Sequence, residues 1–79
     1  MSNIGQCRVC KQGLLEIVKE EKTNEIFICC DLCEGEWQTP EDAFNNQNGS
    51  RNKYGKVIYP TAKEIKSMHW NVKIFDDFN

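Results

Sequence analysis

Cys7, Cys10, Cys30 and Cys33 form two C-x-x-C pairs with nineteen residues between them. A C-x-x-C turn folds two thiolates toward one point, beneath backbone N–H groups that can donate to the sulfurs. Two such turns brought together supply four sulfurs at about 2.3 Å, the tetrahedral shell of a zinc ion. Four protein sulfurs leave no open coordination position, so a site of this kind holds structure and does not activate water. Cys29 is the fifth thiol. Using it in place of Cys30 would give C-x-x-x-C and lose the tight turn. It reads as a non-ligand on a strand, buried rather than reactive.

Three other uses of the thiols compete with zinc. A disulfide framework belongs to exported chains, and residues 1–6 have neither the basic start nor the apolar run of a signal peptide. A redox pair needs a βαβ frame that neither C-x-x-C has. A rubredoxin-like iron site has the same four ligands and stays open as an alternative metal. The expectation is therefore Zn²⁺, with iron not excluded, in a cytoplasmic protein.

Cys7-Arg8-Val9-Cys10-Lys11-Gln12-Gly13 and Cys30-Asp31-Leu32-Cys33-Glu34-Gly35-Glu36-Trp37 resemble the two knuckles of a zinc ribbon. The resemblance covers residues 6–44. Many ribbons have Pro after the first Cys of a knuckle and Gly after the second. Here Arg8 and Lys11 stand at those places, and the glycine is deferred to Gly13.

The elements around the cysteines follow from pattern. Residues 14–21 and 25–30 read as a hairpin, with Ile26, Phe27 and Ile28 β-branched or aromatic and a polar turn between the arms. Trp37 is placed to cover the metal site. Thr39-Pro40-Glu41-Asp42 has helix-start chemistry, predicting a single turn through Phe44. The Asn-rich stretch 45–52 reads as a mobile loop. Residues 53–59 read as a further strand ended by Pro60. Thr61 and Glu64 form a capping box for a helix to about His69, with Ile65, Met68 and His69 as its apolar stripe. Val72, Ile74 and Phe75 read as a last extended segment, and residues 76–79 as a tail.

The expected fold is small α+β: a four-cysteine zinc-ribbon β-hairpin, an additional strand and one C-terminal helix. It divides into a ribbon (1–44), a loop (45–52) and a strand–helix extension (53–79) packed on the ribbon as one domain. With 79 residues and 39% hydrophobic content, burial alone supplies only about 3–5 kcal/mol, so a metal is needed as a staple. No apolar run approaches the roughly 18 residues of a membrane span.

Charge is unevenly placed. Residues 16–42 carry nine acids and two bases, and residues 51–73 carry six bases and one acid. These are ordinary solvated faces attracting one another, or they are binding surfaces. The acidic half repels phosphate and suits a basic protein partner. Glu34, Glu36, Glu41 and Asp42 are the candidate contacts, with Trp37 or Tyr54 as anchors. Alternatively Arg51, Lys53, Lys56, Lys63 and Lys66 carry nucleic-acid phosphates. Catalysis has little support: His69 stands alone, and no nucleophile–base pair or phosphate-binding loop is readable. In size, charge and plan the chain resembles the immunity proteins of bacterial polymorphic toxin systems, including contact-dependent growth inhibition. That resemblance implies a small inhibitor that neutralises a basic nuclease toxin.

Overall fold

The computed structural model describes residues 1–76. Along them run β1 (Ser2–Gln6), β2 (Leu14–Glu20), β3 (Ile26–Cys30), β4 (Glu36–Trp37), α1 (Pro40–Asn45), β5 (Val57–Ile58), α2 (Ala62–Ser67) and β6 (Phe75–Asp76). This is a small α+β fold. All six strands join one antiparallel sheet in the order β4-β3-β2-β1-β6, with β5 also paired to β2. β1 takes the start of β2 at Leu14 and Glu16, and β5 takes its end at Lys19 and Glu20.

The β2/β3 hairpin is buried on both faces. Side chains alternate along a strand, and cross-strand partners share a face. Leu15, Ile17, Ile28 and Cys30 point to one side. There they meet Ile4, Cys7, Trp37, Ala43 and Ile65 in the main core. Val18 and Phe27 are partners on the opposite side and are buried as well. Glu16, Cys29 and Glu36 continue that second face as a row of register partners. The segment before β5 covers it. Tyr54 stacks on Phe27 with ring centroids 3.8 Å apart and planes 14° from parallel.

Both helices start as the sequence predicts. Thr39 caps α1 by accepting from the Asp42 amide at 3.1 Å, with Pro40 in the first turn. In α2 the capping box is complete. The Glu64 amide donates to Thr61 Oγ1 at 3.2 Å, and the Thr61 amide donates to Glu64 Oε1 at 2.9 Å. The second oxygen of Glu64 accepts from Lys19 Nζ at 2.6 Å, which fixes α2 to β2. That bond, and after it the capping amide, hold the Glu64 carboxyl below the usual carboxylate range.

Several expectations are corrected. α1 is a second helix rather than a single turn. α2 stops at Ser67, because His69 adopts a left-handed backbone with φ +56°. His69 is therefore exposed beyond the helix, and only Ile65 of the predicted stripe is buried. The strand expected over 53–59 contracts to Val57–Ile58. β1 was not expected, having one aliphatic residue, Ile4, among polar ones; its order comes from backbone pairing on both sides. Ser50 returns to the sheet, exchanging backbone hydrogen bonds of 2.9 Å with Glu36. The expected tail lies outside the described residues from position 77 onward; Asp76 ends β6.

Candidate metal centre

The two knuckles stand at the same end of the central hairpin. The first joins β1 to β2, and the second joins β3 to β4. Antiparallel pairing closes each at its base. In the first, the Cys7 amide donates to the Gly13 carbonyl at 2.8 Å; in the second, the Cys30 amide donates to the Gly35 carbonyl at 2.9 Å. Lys11 and Glu34, each following the second cysteine of its knuckle, are left-handed with φ +60° and +63°. Asp31 ties the knuckles together. Its carboxylate accepts from the Leu14 amide at 2.9 Å, and its own amide donates to the Leu14 carbonyl at 3.1 Å.

The Sγ atoms of Cys7, Cys10, Cys30 and Cys33 all lie within 4.8 Å of one another. Cys7 and Cys33 are 3.9 Å apart and Cys10 and Cys30 3.6 Å apart. A tetrahedron with metal–sulfur bonds of about 2.3 Å has edges of about 3.8 Å. The cluster thus has the size of a metal shell, and its spacings are far beyond the roughly 2.05 Å of a disulfide. All five cysteines are free thiols.

Electrostatics fit a cation as well. Cys30 accepts from the Leu32 and Cys33 amides at 3.4 Å, and Cys10 from the Gly13 amide at 3.4 Å. Amide donation from residues 12 and 13 lowers the Cys10 thiol to about 6. Burial pushes Cys30 up to about 12 in spite of its two amides. A divalent ion offsets the cost of burying these thiolates together. Donor type, number and spacing all suit a metal with sulfur ligands.

Cys29 is excluded from the site by the strand's alternation. It points to the second face, where burial and then the charges of Glu36, Glu16 and Glu34 raise its thiol to about 11. On the same face, burial and the nearby Asp31 charge hold Glu16 above the usual carboxylate range.

The predicted surface residues divide sharply. Glu34 and Glu41 are exposed, and Asp42 is half-buried at the head of α1. Glu36 is turned inward, 7% exposed. Its carboxylate accepts from Ser50 Oγ at 2.8 Å and the Lys53 amide at 3.2 Å, so it serves the fold rather than a partner. Trp37 is 3% exposed and is a core residue, not a surface anchor. Tyr54 is committed to Phe27 and gives its hydroxyl to Glu25. Arg51, Lys53, Lys63 and Lys66 are exposed. Lys56 approaches Glu21 at 3.9 Å. Sequence reasoning named Gly13 as the displaced knuckle glycine but missed the contact that requires it. A Cβ there would stand 2.7 Å from both Cys30 Sγ and Asp31 Oδ1, so its place beside the ligands requires glycine. It also missed the Asp31 tether; the signal for both was their fixed offset from the cysteines.

No family model, curated protein or solved structure matches the chain.

Proposed function

We propose that this chain is a non-catalytic protein-interaction module, built as a zinc ribbon with an extension and held by one structural Zn²⁺. It acts as a small cytoplasmic inhibitor of the immunity type, neutralising a basic partner such as a toxin nuclease. The observation that carries this reading is the position of exposed acids around a closed four-sulfur site. Asp31 and Glu34 lie within the second knuckle, and Glu41 opens α1. A zinc ion with four thiolates adds a formal charge of about −2 to that end. Such a surface steers a basic protein toward it and repels phosphate.

The folded arrangement favours this over nucleic-acid binding. The basic segment lies against acids of the hairpin. The Gly55 amide donates to Glu20 at 2.6 Å, Tyr54 bonds Glu25, and Lys56 approaches Glu21. The segment 54–56 thus sits against acids of its own chain, and of its cations Lys56 has a counter-charge nearby.

Elemental analysis tests the metal, with one zinc per chain expected; the visible absorption of an iron–thiolate centre would replace zinc by iron. Binding to a panel of basic nuclease domains tests the partner, with Glu34→Lys and Glu41→Lys expected to weaken capture. Salt-dependent binding to generic RNA or DNA, lost on replacing Lys63 and Lys66, would overturn the protein reading.

A further inference from the structure

Leu14, Leu32 and Tyr59 are large apolar side chains left 37%, 56% and 58% exposed. They gather around one carboxylate. Asp31 accepts from the Leu14 amide at 2.9 Å and directly precedes Leu32 in the chain. A Cβ on Gly13 would stand 2.8 Å from Leu32 Cβ, so Leu32 rests on the residue before Leu14. Tyr59 directly follows β5, which pairs with β2. Burial, and then the charges of Glu16 and Asp31, hold its hydroxyl above the usual range, which sets the ring beside those two acids. Single exposed apolar residues are ordinary, but a cluster with a polar rim marks a protein contact.

The rim decides what kind of partner fits. Asp31 and Glu34 are exposed and make no ion pair among the described residues. Glu16 stands two residues along β2 from Leu14, on the same face. Burial and then Asp31 hold it above the usual carboxylate range, with the Met1 amine opposing. The charge of Glu34 reaches this face as well, where it acts on Cys29. Two nearby cations are engaged elsewhere, Lys19 with Glu64 at 2.6 Å and Arg8 over the Phe44 ring at 4.7 Å. The cluster is therefore apolar at its centre and acidic at its edge, the complement of a basic protein segment that carries apolar side chains.

We propose that Leu14, Leu32 and Tyr59 anchor a partner segment in which arginine stands between aliphatic residues. The guanidinium lies over the Tyr59 ring and pairs with Asp31, and the aliphatic neighbours cover Leu14 and Leu32. Arginine suits this place better than lysine, because its flat cation stacks on an aromatic face and pairs with a carboxylate at once. The inference rests on the basic-partner reading and names where that partner is held: at these exposed side chains, rather than at Trp37 or Tyr54, which the fold itself uses.

Capped peptides test it on the metal-loaded protein: alternating arginine and leucine, the same peptide with citrulline for arginine, and oligoarginine of equal charge. The Leu14 and Leu32 methyl signals and the Tyr59 ring signals read binding at low salt. The arginine–leucine peptide is expected to shift them saturably and to bind about fivefold or more tighter than oligoarginine, the gain from burying leucine side chains. Leu32→Ser and Tyr59→Ser should each weaken it by about fivefold, with metal content unchanged. Oligoarginine binding as tightly overturns the anchor while leaving the acidic-surface reading in place. Equal binding of the citrulline peptide, undiminished affinity in both variants, or binding that leaves these signals unmoved overturns it too. Binding by neither cationic peptide overturns both the anchor and the reading beneath it.

Discussion

The two knuckles solve one geometric problem with different residues. Both bend back through a left-handed residue after the second cysteine, Lys11 in one and Glu34 in the other. Both close with a bond from the first cysteine's amide to a glycine carbonyl. The first takes one residue more to reach that glycine, and its Gly13 lies against a sulfur of the other knuckle. The second reaches Gly35, which lies against the Trp37 indole instead. Glycine in these turns is therefore placed by crowding, while the left-handed turn is left to longer side chains. The first knuckle is fitted to the sulfur cluster and the second to the core.

The largest effect that could break this comparison is loss of a ligand. Cys10→Ser or Cys33→Ser should abolish metal binding and cooperative folding alike, because structural zinc contributes about 10–16 kcal/mol of apparent binding energy to folding. Cys29→Ser should leave both intact. Circular dichroism and elemental analysis read all three. If Cys29→Ser loses the metal while Cys30→Ser keeps it, the ligand set is wrong.

Glycine replacements come next and should separate the knuckles. Gly13→Ala is expected to weaken metal affinity measured by chelator competition, since its methyl group collides with Cys30 Sγ. Gly35→Ala should keep the metal and cost about 1–3 kcal/mol in denaturant unfolding, the usual range for overpacking. Equal metal affinity in the two variants would mean that crowding does not distinguish the knuckles.

A smaller difference is expected at the residue after the first cysteine. Asp31→Ala removes the acceptor of the Leu14 amide and should cost about 1 kcal/mol. Arg8→Ala, at the same place in the first knuckle, loses a cation–π contact with Phe44 at 4.7 Å and a long, exposed hydrogen bond of 3.5 Å to the Phe44 carbonyl. That exposed cation–π contact is worth about 0.5–1 kcal/mol. Thermal unfolding of the two variants ranks them, and a larger loss for Arg8→Ala would reverse the comparison.

The smallest effects should be gains. Lys11→Gly and Glu34→Gly each relieve a left-handed side-chain residue and should stabilise by up to about 1 kcal/mol. The two gains should be similar, because their φ values differ by only 3°; a loss at either position would show that its side chain has a further role.

The four-cysteine cluster was legible because short covalent spacing confines it: two residues between thiols leave few geometries. The helix starts at Thr39 and Thr61 were legible for the same reason, each resting on contacts within three residues. What lay beyond was set by pairing at long range. Glu36 and Trp37 are neighbours in sequence, but the pleat sends one to the second face and the other to the core. The reading of Trp37 as a cover for the site agrees with its burial, whereas reading Glu36 as a surface contact missed that alternation. Tyr54 meets Phe27 across 27 positions, and β1 is ordered by partners that include β6. No local pattern announces such contacts. The charge segregation was visible in the sequence; that Tyr54, Gly55 and Lys56 would settle onto the acidic hairpin was not.

β1 has a consequence for the order in which the protein can be made. The strand leaves a ribosome early, but its partner β6 follows more than seventy residues later, with Ser2 opposite Asp76. All four sulfurs and the β2/β3 hairpin have emerged by Cys33. Contacts close in sequence form at lower entropic cost than distant ones. Assembly of the four-sulfur cluster thus has no need to wait for the second half of the chain, and one edge of β1 stands open to other strands until synthesis reaches β6.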